Sequence, residues 1–67
     1  MRFSYEKLWH LLLDKKMTKE SLRKQSELSS NTIAKLGKGQ NVTTDVLLKI
    51  CTTLKCDISD IMEIVEK

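Results

Sequence analysis

TKESLRKQSELSSNTIAKLGKG, residues Thr18–Gly39, contains both glycines of a 67-residue chain that has no proline. Two short helical segments can be read in it. Thr18 is placed to accept a backbone N–H two or three residues on, as an N-cap does. The helix it opens, Lys19 to about Gln25, has one clear core residue, Leu22. Ser26-Glu27-Leu28 reads as a turn with Leu28 inward. Ser29 then caps a second helix, Ser30 to Leu36, with Ile33 and Leu36 on its buried side, and Gly37-Lys38-Gly39-Gln40-Asn41 ends it. Each helix has about two turns, too few to stand alone in water. A three- or four-residue connection suits two helices that cross steeply. The outward face of the second helix carries Ser30, Asn31, Thr32, Lys35 and, just beyond, Lys38. Small polar and basic side chains of this kind reach base edges and phosphates without filling a groove.

Helical periodicity continues on both sides. Tyr5, Leu8, Trp9 and Leu12 follow i, i+3, i+4, i+7 and predict a first helix from about Ser4 to Lys16. Leu47, Ile50, Cys51 and Leu54 repeat the stripe and predict a fourth from Thr44 to Lys55. Asp57 reads as the cap of a fifth, with Asp60 in its first turn and Ile58, Ile61, Met62 and Val65 as its stripe. No stretch alternates like a strand. The expected fold is all-α: five helices in one domain, residues 1–67, near the lower size limit for folding without disulfides or metal.

Net charge is +3. Residues 14–40 hold seven Lys and Arg against three acids, a net +4, and residues 41–67 hold three against five, a net −2. A basic block facing one way predicts a polyanionic partner. Catalysis finds no support in one histidine (His10, read as exposed and idle), no evident carboxylate pair and a Gly-Lys-Gly that lacks the strand and spacing of a P-loop. Cys51 and Cys56 read as small buried hydrophobes rather than metal ligands, because a structural zinc asks for four ligands. The sequence predicts no cofactor, metal or small-molecule ligand. No 18-residue apolar run and no signal peptide are present, so the expected location is cytoplasmic.

The ordered set Thr18, Leu22, Leu28, Ser29, Thr32, Ile33, Leu36, Gly39, Leu47, Ile50, Leu54, Ile58 and Ile61 resembles the helix-turn-helix domain of the prokaryotic phage repressor and Cro type (the XRE, or lambda-repressor-like, family) over nearly the whole chain. The resemblance implies that Ser30, Asn31, Thr32 and Lys35 contact bases and that Thr18, Lys19, Ser29, Lys38 and Asn41 contact phosphates. The sequence departs from the family in four places. Arg23 stands where a small residue, mostly alanine, is usual, and Glu27 where the turn usually has glycine. Leu12 and Gly37 replace an arginine and a glutamate that form a buried ion pair in many relatives. Loss of both partners together leaves no stranded charge, so Leu12 is expected in the core. Arg23 and Glu27, four apart, are expected to pair if the second helix extends by a turn.

The expected function is a stand-alone transcriptional regulator, a repressor, that binds double-stranded DNA through the major groove as a homodimer. Leu13, Ile64 and Val65 are expected to supply the dimer surface, and Trp9 belongs either there or in the core. The rival expectation is a protein-interaction adaptor, or an antitoxin-like partner, that keeps the fold with weak or no DNA binding.

Overall fold

In the computed structural model, which describes residues 1–66, the chain runs β1 (Arg2–Ser4), α1 (Glu6–Asp14), α2 (Lys19–Gln25), α3 (Ser30–Gly37), α4 (Thr44–Leu54), a single 3₁₀ turn (Ile58–Asp60) and β2 (Glu63–Val65). Leu8 and Leu12 of α1, Leu22 of α2, Leu36 of α3, Leu47, Ile50 and Leu54 of α4, and Ile61 beyond the 3₁₀ turn meet in one cluster, which Tyr5 and Leu28 complete. Removing each such side chain from water stabilises the fold by about 1.5–3 kcal/mol. Leu12 is in the core, as its unpaired position required. Trp9, Ile33 and Cys51 are only half-buried and pack against the cluster from outside.

The predicted fifth helix is absent. Asp57 does cap the segment: its carboxylate accepts from Ile58 N at 2.7 Å, and Asp60 returns the favour to Asp57 N at 2.9 Å. The helix stops after one 3₁₀ turn, and Ile61 drops into the core at 0% exposure. The chain then extends, and β2 pairs antiparallel with β1, with Arg2 opposite Val65, Phe3 opposite Ile64 and Ser4 opposite Glu63. A helix over these few residues is marginal, whereas β-branched Ile64 and Val65 suit a strand once a partner is available. That partner is the other end of the chain, which helical periodicity over 58–65 cannot register. The same pairing moves the start of α1 from Ser4 to Glu6.

Each of the four helices ends in one motif. Lys16, Glu27, Gly39 and Lys55 have φ of 57°, 57°, 73° and 55°, and the next residue's N–H reaches back to a carbonyl five residues earlier. The bonds are Met17 to Leu12, Leu28 to Arg23 and Gln40 to Lys35, all 2.9 Å, and Cys56 to Cys51 at 3.1 Å. This six-residue closure satisfies carbonyls that a helix end leaves without partners. Only one of the four left-handed positions is glycine. A side chain there costs roughly 1–2 kcal/mol, which the burial of Leu28 and the half-burial of Met17 just beyond help to offset.

Candidate nucleic-acid interface

Thr18 and Ser29 are N-caps in full. Thr18 Oγ1 accepts from Ser21 N at 3.0 Å, and Ser29 Oγ accepts from Thr32 N at 3.1 Å. Between them, Ser26 is buried and its hydroxyl bonds Thr53 of α4 at 2.9 Å, which fixes the turn against the scaffold. Glu27 takes the left-handed conformation where glycine would be unstrained. Arg23 does not pair with it. The guanidinium turns back one helical turn to Glu20 instead, with Nε 3.0 Å from Oε1. The left-handed turn at Glu27 carries the chain off the helix, so the extra turn that an Arg23–Glu27 pair requires never forms. Hydrogen bonding to Arg23 holds the Glu20 carboxyl below its usual range.

Successive residues of α3 rotate by about 100°. Leu36 is buried and Ile33 half-buried on one side, while Ser30, Asn31, Ala34, Lys35 and Gly37, with Lys38 at the C-cap, are exposed on the other. Ala34 lies near the middle of that exposed arc, one turn from both Asn31 and Lys38. It carries no polar group to mark it in the sequence, but helical spacing alone places it on this face. Its methyl is the type of group that packs on a thymine methyl. Thr32 is half-buried, and its hydroxyl is 3.0 Å from that of Ser29, so part of its hydrogen-bonding capacity goes to the cap.

Thr32 and Lys35 share an open cleft with Asn41, Thr43 and Val46, where α3 meets the entry to α4. Asn41 also borders a second cleft with Arg2 and Phe3. Arg2 is a further residue the sequence reading missed, and no local signal marks it: it reaches this loop only because β1 is paired with β2. At Gly39 an added Cβ would have Arg2 Nη1 at 3.7 Å and Phe3 O at 3.8 Å, ordinary contacts, so positive φ rather than crowding is what favours glycine. An added Cβ at Gly37 would meet nothing within 4 Å. Tyr5 Oη donates to Gln40 O at 2.9 Å and ties the same loop to the core.

Thr18 and Lys19 line neither cleft. Lys19 Nζ sits 4.5 Å from the centre of the Trp9 ring, a cation–π contact of about 0.5–1 kcal/mol at an exposed site. The contact places the lysine at the start of α2 without neutralising it. Leu13 and Ile64 are 73% and 63% exposed, and Val65 is half-buried. Leu13 lies in the last turn of α1, whereas Ile64 and Val65 pair with the strand that leads into its start, about 10 Å away at 1.5 Å per residue.

A family model of the Cro/C1-type helix-turn-helix DNA-binding domain matches residues 7–67. The chain is a Cro/C1-type helix-turn-helix domain. A crystal structure of the transcriptional regulator VanUg (form II) is similar throughout, with 50% sequence identity, a TM-score of 0.96, and coverage of 98% of this chain and 88% of that one. No curated protein matches the chain. In this family's terms α2 and α3 are the helix-turn-helix, and the exposed arc of α3 is the face of its second helix. Among the described residues no group of three or more His, Cys, Asp or Glu is arranged to hold a metal ion. Among the same residues no helix is long and apolar enough to cross a membrane.

Proposed function

We propose that this protein is a sequence-specific regulator of transcription that represses by occupying duplex DNA, with α3 in the major groove. The observation that carries the reading is the two-sidedness of α3: Leu36 anchors it while Ser30, Asn31, Ala34, Lys35 and Lys38 stand free within one arc. The similarity to VanUg, itself a transcriptional regulator, supports the regulatory role. Ser30, Asn31, Thr32 and Lys35 contact base edges, and Ala34 adds an apolar contact. Thr18, Lys19, Ser29, Lys38 and Asn41 contact phosphates, joined by Arg2 beside Asn41. One module of this size offers few base contacts, so the active species is a homodimer on a near-palindromic site, with Leu13, Ile64 and Val65 as candidate interface residues. Residues 1–67 act as one domain, in the cytoplasm where the DNA is.

Selection from a pool of randomised duplexes tests this reading. Enrichment of a near-palindromic motif is expected. Asn31→Ala and Lys35→Ala each weaken binding to that motif by about 1–3 kcal/mol and relax preference at one base position per half-site. A pool that stays random through successive rounds would count against the reading.

A further inference from the structure

Two free thiols occupy the ends of one turn. Cys51 lies in the last turn of α4 and Cys56 is the second residue beyond its end, with Lys55 left-handed between α4 and Cys56 and the Cys56 N–H bonded to Cys51 O at 3.1 Å. In this closure the side chains of the first and sixth residues are often in contact. At the end of α1 those positions hold Leu12 and Met17, an ordinary apolar pair; at the end of α4 they hold two thiols. Both thiols are half-buried and both border the same open clefts, with Leu48 and Asp57 alongside. A small reagent therefore reaches them without unfolding the chain. A disulfide asks for Cα atoms about 4.4–6.8 Å apart, and a turn closed by a six-residue backbone bond holds its ends about that close.

We propose that Cys51 and Cys56 form a dithiol site that low-molecular-weight disulfides oxidise to an intramolecular disulfide. The Cys51 thiolate attacks one sulfur of the reagent RSSR and expels RS⁻, leaving Cys51–S–SR. Cys56 then gives up its proton and attacks the Cys51 sulfur, expelling the second RS⁻. The two protons from the cysteines end on the two RSH products, and two electrons pass from the protein thiols to the reagent. Burial pushes the Cys51 thiol up, and a hydrogen bond from Cys56 offsets part of that rise. Burial, followed by the charge of Cys51 and the hydrogen bond given to it, pushes Cys56 up to about 11. Asp57 and Asp60 add to the rise at Cys51, and Asp60 opposes Lys15 at Cys56. The exchange balances equally with the two roles reversed, and it quickens toward alkaline pH as thiolate forms.

The test incubates the full chain with oxidised glutathione at about pH 9, quenches with an alkylating agent and reads intact mass. The expected product has lost two hydrogens and takes up no alkyl group, while Cys56→Ser stops at a single glutathione adduct. The thiol–disulfide equilibrium gives the effective concentration of ring closure, which is expected to be at least about tenfold higher in native buffer than in concentrated guanidinium chloride. An equal or lower value in native buffer would overturn the proposal. So would wild-type chains that accumulate glutathione adducts or covalent dimers in place of the internal bond.

Discussion

Glu27 shows how much one residue's backbone can cost without changing the fold. Its φ of 57° is the conformation that favours glycine, and its side chain gains no ion pair, since Arg23 is engaged with Glu20. Glu27→Gly is therefore expected to raise stability by about 1 kcal/mol, seen as a higher denaturant midpoint with an unchanged slope. Gly37 is the opposite case: it is helical, exposed and surrounded by open space. Gly37→Ala is expected to add about 0.4–1 kcal/mol, mostly by restricting the unfolded chain. Tyr5 links the core to the loop after α3, and burial raises its phenol pKa. The folded chain holds that proton more tightly than the unfolded one, so the associated stability is complete below about pH 10 and is lost as pH rises through the raised folded value. Denaturation of wild type and Tyr5→Phe at intervals between about pH 9 and pH 11 checks this. The difference in stability between the two proteins should shrink as pH rises, because the phenylalanine variant has no proton to lose.

Among the elements, α3 places its prediction on a residue with no polar atoms. Ala34→Glu puts a carboxylate in the middle of the exposed arc, the face that the proposed complex turns toward phosphates and base acceptors. It should cost little stability, because Ala34 is exposed, yet weaken DNA binding by at least about tenfold, equivalent to 1.4 kcal/mol. Thermal unfolding and a binding titration on the same preparation separate the two effects. The helical elements were legible in the sequence wherever capping and apolar spacing agreed. Thr18, Ser29 and the stripes of α1 and α4 place four helices to within a residue or two, and the joint loss of both ion-pair partners places Leu12 in the core. What escaped was non-local or backbone-borne. Ile58, Ile61, Met62 and Val65 have helical spacing, but the choice between helix and strand was made by residues 2–4, some sixty positions away. The left-handed closures at Lys16 and Lys55 escaped for a different reason: glycine is their usual marker and neither carries it, whereas at Glu27 the glycine usual in the resembled turn points to the conformation the structure shows. Within the candidate interface, the exposure of Ser30, Asn31 and Lys35 on α3 could be read from the helical spacing. Ala34 required the helical rotation to be followed through, and Arg2 required the β1–β2 pairing.

For the molecule as a whole, charge and fold point the same way. The helix-turn-helix lies within the basic block of residues 14–40, and Arg2, from outside that block, joins the loop at its end. Electrostatics of this kind supplies most of the non-specific affinity for DNA and makes it depend steeply on salt. The decisive measurement is fluorescence anisotropy of a labelled duplex titrated with the protein at several salt concentrations, repeated with Arg2→Ala. Tight binding at low salt is predicted, with log affinity falling against log salt at about −0.9 per phosphate neutralised, and with the Arg2→Ala slope shallower by about one. Absence of binding at low salt, or binding insensitive to salt, would contradict the assignment of this surface to DNA.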